Sequence, residues 1–250
     1  MAILLVAAEA DELKPFAKRL TGLRKLNWPL QYAFEGILHG RRILLAAHGA
    51  GPKLAGRAVE VALRAVSAAE LSASKLQAVI SVGYCGALTP EGREGQVIVA
   101  TVVLDGADGE RFPCLMPTTE DAHQVGALLS RNCVANDCSE KQQLAKSGAI
   151  AVDMEAAGVA ARTKRAELPF LCIKVVTDRA DESFGLDLNA MRTPEGRIAR
   201  GKIGIYALTH PKFIPELLRW RRRAEGAAKT LGDFLVSCRI NFEGDQASAE

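Results

Sequence analysis

The chain has 250 residues, of which 48% are hydrophobic, with a net charge of +3 and six cysteines. That length and apolar content suffice for one large α/β domain with a substantial core, and they exclude a disordered or fibrous chain. The near-neutral balance gives no global bias toward nucleic acid, although Arg192 to Lys229 holds ten Lys or Arg against three Glu.

Taken in order, the first apolar run is Ala2–Ala8. It is short, lacks a basic leader and passes directly into acids, so it reads as a buried strand and not a signal peptide. Further apolar runs follow at Arg42–Ala47, Ala78–Gly83, Gln96–Val103, Ala149–Val152 and Pro169–Val176. Runs of this kind suit strands buried on both faces. Between them, Asp11–Leu20, Lys53–Leu71, Asp121–Ser130, Glu155–Arg165 and Arg197–Leu208 carry helix formers at helical spacing. Asp105–Thr119 and Asp181–Pro194 read as long irregular connections. A helix within 211–238 places Ile214, Leu217, Leu218, Ala228, Leu231 and Leu235 on one face and Arg219, Arg222, Arg223 and Lys229 on the other. This basic face is either solvated or a peripheral contact with an anionic membrane. Residues 239–250 read as a flexible tail. The expectation is one three-layer α/β/α domain over residues 1–238, with a central twisted, largely parallel or mixed sheet.

The cysteines show neither CxxC pairing nor spacing with histidine, so a reduced cytoplasmic protein without structural metal fits. No apolar window reaches membrane-spanning length.

In α/β sheets ligands bind beyond the carboxyl ends of strands, which directs attention to five junctions. "AEADEL" places Glu12 in a first helical turn, where an acid also suits the helix dipole. "HGAGPKLAG" is a Gly turn without the spacing of a dinucleotide or P-loop motif. "SVGYCGAL" is a second such turn, with Gly83 and Tyr84 at its tip. "AVDMEAAG" sets Asp153 and Glu155 around Met154, where a helix cap and a first-turn acid compete with a functional pair. "IKVVTDRAD" brings Asp178 out of a very apolar strand, where desolvation would raise its pKa toward that of a proton donor.

The joint order of these five elements resembles the nucleoside phosphorylase and nucleoside hydrolase superfamily, from about Ile3 to Asp181, with "MEAAG" and the later "TDRAD" the most specific part. The resemblance implies cleavage of the N-glycosidic bond of a purine nucleoside. It implies Glu12 as the acid that positions or activates water and Asp178 as the acid at N7 of the base. Glu155 would hold the ribose hydroxyls, Met154 would pack on the sugar, and Gly83 and Tyr84 would flank base and sugar. Lys174 stands where nucleosidases often have arginine. No cofactor or metal is implied, apart from phosphate as co-substrate in a phosphorylase, and a homodimer or larger homo-oligomer is expected.

The arginines that phosphorolytic members use are absent from their usual places, where this chain has "AEADEL" and Ser81, which favours water as nucleophile. Against this, Arg41, Arg42 and His48 in "HGRRILLAAHGAG" resemble the phosphorylase branch, and Tyr84 replaces the usual small residue. "SEKQQLAKSGAIAVDMEAAGVA" and "HPKFIPELLRWRRRA" also resemble the hopanoid-associated branch, which implies an adenosyl-lipid substrate as an alternative. A non-catalytic nucleoside-binding protein is the alternative from another class.

Overall fold

The computed structural model describes residues 2–67, 75–185, 187, 189–191, 193, 206 and 209–240. In chain order they form β1 (Ala2–Ala7), α1 (Ala10–Ala17), β2 (Thr21–Lys25), β3 (Tyr32–Leu38), β4 (Arg41–Ala47), α2 (Pro52–Ser67), β5 (Leu76–Ala87) and β6 (Val97–Asp105). There follow β7 (Arg111–Pro113), β8 (Gln124–Ser130), α3 (Cys138–Ala145), β9 (Ala149–Asp153), α4 (Ala156–Arg165), β10 (Phe170–Asp178) and a long helix, α5 (Ile214–Ser237).

One mixed sheet organises the molecule. Strand β5 is its hub, pairing in parallel with β1 and β10 and antiparallel with β9. From β10 the ladder continues through β6 and β8 to β9, which returns to β5 and closes a five-strand ring. From β1 it runs outward through β4 and β3 to β2. Because side chains alternate along a strand, Leu4 and Val6 of β1 join a core with Ala55, Val59, Ala156 and Val159 of α2 and α4. Ile3 and Leu5 face the opposite core, with Phe16 of α1 and Leu231, Phe234 and Leu235 of α5. The result is the expected three-layer arrangement.

Strands β1, β4, β5, β6, β9 and β10 fall on the apolar runs. The segment expected as helix Asp121–Ser130 is instead β8, hydrogen-bonded in parallel to β6 and β9. Tertiary pairing overrides its weak helical spacing: Gly126 lies so close to β9 that a Cβ there would stand 2.7 Å from Ile150 Cδ1. The connection Asp105–Thr119 contains β7, which pairs with β6, and Thr118, which bridges to Arg239. That bridge and the burial of Ile240 tie down two residues assigned to the tail, whereas 241–250 lie outside the described residues. So do 68–71, the last part of the helix expected over Lys53–Leu71, and all of Arg197–Leu208 except Tyr206. Strand β2, fully exposed, and polar helix α3 carry no apolar run and escape the sequence pattern.

Helices α2 and α4 cross at Gly158, where a Cβ would meet the Pro52 carbonyl oxygen at 2.0 Å. Since backbone and not a flexible side chain occupies that space, Gly158→Ala is expected to lower stability by about 1–3 kcal/mol. Denaturant unfolding measures this, and an unchanged midpoint would show that the helices separate at little cost.

Candidate active site

Three strand ends and one glycine turn converge. Antiparallel pairing of β9 with β5 matches Val152 to Gly86, so the chain beyond Val152 runs back alongside Cys85, Tyr84 and Gly83. On the other side of β5, β10 matches Lys174 to Gly83 and Asp178 to Gly86. Residues Gly83 to Gly86 therefore form a floor between the "DME" junction and the end of β10.

Glu12 reaches this floor from α1. Its Oε2 accepts from the Glu9 N–H at 2.7 Å, closing the first turn of the helix, and its Oε1 accepts from the Tyr84 N–H at 3.0 Å. The same side chain thus closes the helix start and reaches the floor formed by β5. Gly83 makes room for it: at φ +126° a side chain would be strained, and a Cβ would lie 2.6 Å from Glu12 Oε1. Burial pushes the Glu12 carboxyl above the ordinary carboxylate range, opposed by the Glu9 and Tyr84 N–H groups and the Lys174 charge.

Asp153 and Glu155 take different roles. Asp153 Oδ2 accepts from the Ala156 N–H at 3.0 Å and pairs with Lys174 Nζ at 2.7 Å, so it caps α4 and anchors the buried ammonium. Lys174 Nζ also donates to the Val82 carbonyl at 3.1 Å. Burial is the largest single influence on Lys174 and would lower its pKa, but the charges of Asp153, Cys172 and Glu155 and the Asp153 hydrogen bond together outweigh it, and the pKa lies above the ordinary value. Glu155 Oε1 accepts from the Gly51 N–H at 2.9 Å, so the Gly turn after β4 turns its amide toward a carboxylate of the site. Burial, and next the Asp153 charge, push Glu155 up to about 8, against the pull of Lys174. Met154 stands half-buried between the two acids.

Asp178 lies at the other end of the floor. A Cβ at Gly86 would stand 2.7 Å from its Oδ2, so glycine is required there for close approach. Burial raises its pKa although Lys141 Nζ donates to Oδ2 at 2.6 Å and the Thr177 hydroxyl donates to Oδ1 at 2.9 Å. The charges of Lys174, Asp178 and Asp153 all act on the Cys85 thiol, which lies between the two ends of the site.

Glu12, Gly83, Lys174 and Glu155 thus stand together, with Asp178 one β5 segment away. Tyr84 contributes its backbone N–H, while its phenol turns to α5 and donates to the Ala224 carbonyl at 3.0 Å. Arg41 and Arg42 lie at the start of β4, at the end of the strand away from the site. Arg41 donates to the Ile240 carbonyl at 3.1 Å and Arg42 to Glu35 Oε2 at 2.7 Å. Sequence reasoning missed Lys141. The readable signal was the Asp137 to Glu140 spacing: Asp137 Oδ1 accepts from the Glu140 N–H at 2.8 Å and starts α3.

A carboxyl whose pKa is raised in the folded state retains its proton when the unfolded chain has lost it. For Glu155 the folded chain binds more protons between the ordinary glutamate value, 4.5, and about 8, so stability falls as pH rises through that window. The slope reaches at most about 1.4 kcal/mol per pH unit for one group. Glu155→Gln is expected to flatten the dependence of melting temperature on pH between 5 and 8; an equally steep decline in the variant would refute the assignment.

The model of the phosphorylase superfamily matches residues 2–130 and 132–200. The 5'-methylthioadenosine/S-adenosylhomocysteine nucleosidase of Baumannia cicadellinicola subsp. Homalodisca coagulata is 25% identical over 208 residues, spanning 72% of this chain and 87% of that protein. Among solved structures, an S-adenosylhomocysteine nucleosidase from Streptococcus pyogenes, in complex with 5-methylthiotubericidin, superposes with a TM-score of 0.69 at 18% identity, covering 95% of each chain. The native futalosine hydrolase of Helicobacter pylori gives 0.66 at 16% identity, covering 95% of this chain and 96% of that one. At such identities the structural likeness establishes the fold. With the family model matched over most of its length, the chain belongs to the phosphorylase superfamily.

Proposed function

We propose that this protein hydrolyses the N-glycosidic bond of a purine nucleoside, releasing free base and a ribose product. The observation that carries the reading is the make-up of the buried cluster: Glu12, Asp153 and Glu155 share the field of one buried ammonium, Lys174. Among these residues the one cation, Lys174, is already paired with Asp153, so a phosphate dianion would find no bidentate partner there. Of the three residues that favoured phosphorolysis, Arg41 and Arg42 are engaged at the far end of β4, and His48 is buried at the other end, next to the Gly turn. Water suits the site, because burial raises the Glu12 pKa and makes that carboxyl a stronger base toward a bound water.

In this reading Glu12 takes the proton of the attacking water as oxygen bonds to the anomeric carbon. The C1'–N9 bond breaks and its electron pair leaves with the base. Asp178 protonates N7, and the Glu155 carboxyl, held at a pKa of about 8, hydrogen-bonds the ribose hydroxyls. Each of these interactions strengthens as charge separates, as transition-state stabilisation requires. Lys174 holds the acids against one another at the position given to arginine in many nucleosidases. The activities of the relatives, nucleosidase and futalosine hydrolase, support a hydrolytic reaction on a nucleoside. The six free cysteines suit a reducing cytoplasm.

Purified protein is expected to release base from 5'-methylthioadenosine, S-adenosylhomocysteine or adenosine at the same rate with and without phosphate. Glu12→Gln and Asp178→Asn are each expected to lower kcat by about 10²–10⁴-fold while the fold is retained. Formation of ribose 1-phosphate only when phosphate is supplied would refute hydrolysis, and binding without turnover across the panel would favour a non-catalytic binder.

A further inference from the structure

The element that the reaction scheme leaves unused is Lys141. It is the buried residue of an otherwise polar, solvent-facing helix, α3, with a relative exposure of 0%. Its ammonium has three protons and three acceptors: Asp178 Oδ2 at 2.6 Å, the Arg179 carbonyl at 2.6 Å and the Glu182 carbonyl at 3.1 Å. The Phe184 ring lies 5.4 Å from Nζ and covers it. Burying an ammonium is costly, and packing alone is served as well by an apolar residue of similar volume. The charge therefore needs an explanation in what it touches.

We propose that Lys141 is a positioning residue for the nucleoside cleavage proposed above: it locks Asp178 Oδ2, leaves Oδ1 to meet the leaving base, and stabilises the carboxylate that remains once the proton has gone. The inference rests on that reading of the site.

The geometry on Oδ1 fits this division. The Thr177 hydroxyl has one proton and two acceptors in reach, Asp178 Oδ1 at 2.9 Å and the Cys85 carbonyl at 3.3 Å. It can turn to Cys85 when Oδ1 carries the catalytic proton and turn back when that proton has passed to N7. The proton moves from Oδ1 to N7 as the C1'–N9 electron pair leaves with the base, so a neutral acid becomes a carboxylate beside Lys141. The groups facing Asp178 are Lys141 from α3, Glu182 from the following loop, Thr177 on its own strand and Cys85 from β5. Among them Lys141 is the cation, and it also holds the loop through the Arg179 and Glu182 carbonyls. The loop is held independently where the Arg179 N–H donates to Glu182 Oε2 at 3.0 Å and Arg223 of α5 donates to Glu182 Oε1 at 2.8 Å.

The test is carboxyl-carbon NMR titration of Asp178 in the full-length wild type, Lys141→Met and Lys141→Arg, alongside kcat and KM for 5'-methylthioadenosine across pH. In Lys141→Met the Asp178 midpoint is expected to rise by about one pH unit or more. The alkaline limb of kcat should move upward with it. At its optimum kcat should fall about tenfold or more, with KM nearly unchanged. Lys141→Arg should restore most of both. If the Met variant does not fold, Lys141→Gln, which retains an N–H donor without the charge, carries the same comparison. An Asp178 midpoint and kcat profile that do not move in the neutral variants would overturn the proposal. Absence of base release by the wild type would overturn the reaction instead, while the carboxyl titration still decides whether Lys141 governs Asp178.

Discussion

The site depends on one buried ion pair, Lys174 with Asp153, at 2.7 Å and closed off from solvent on both sides. Either charge alone in that position would be strongly destabilising, on the order of 3–5 kcal/mol when the partner is removed. Glu12 and Glu155 both feel the Lys174 charge, and at Glu155 the charge of Asp153 opposes it more strongly. The pair also joins two strands of different origin, since Asp153 ends β9 and Lys174 lies midway along β10. Strand β5 must run between them, and its glycines at 83 and 86 let carboxylates approach the backbone where any side chain would collide.

From this constraint the division of labour follows. The carboxyls nearest Lys174 are buried and compete for one cation, so Glu155 titrates near neutrality and Asp153 remains bound as the structural partner. Asp178 has its own cation from another helix, and both charge systems act on the Cys85 thiol. A bond cleavage that separates positive charge on a sugar from negative charge on a base requires such separate poles.

Much of this was legible in the sequence. The strands that carry the site are continuous apolar runs because they are buried on both faces, and the acids stand out as the points where those runs stop. That Asp153 would meet a backbone N–H of the following helix was also within reach, although the residue at the N-cap position is Glu155. Other features were not, because they are tertiary. Nothing local in "QVGALLS" announces a strand; β6 and β9 on either side make it one. Lys141 reads as an ordinary charge on a polar helix until the turn after β10 folds over it. Arg41 and Arg42 looked available for an anion, and only the direction of β4 shows that they begin the strand whose far end reaches the site. The phenol of Tyr84 likewise points along α5, which no spacing reveals.

The claim that holds these observations together is that a cleft with more carboxyls than cations selects water over an anionic nucleophile. Cleavage of 5'-methylthioadenosine in water enriched in oxygen-18, with phosphate present, tests it most directly. The account predicts one labelled oxygen on the anomeric carbon of the released sugar. An unlabelled sugar recovered as its 1-phosphate would contradict it.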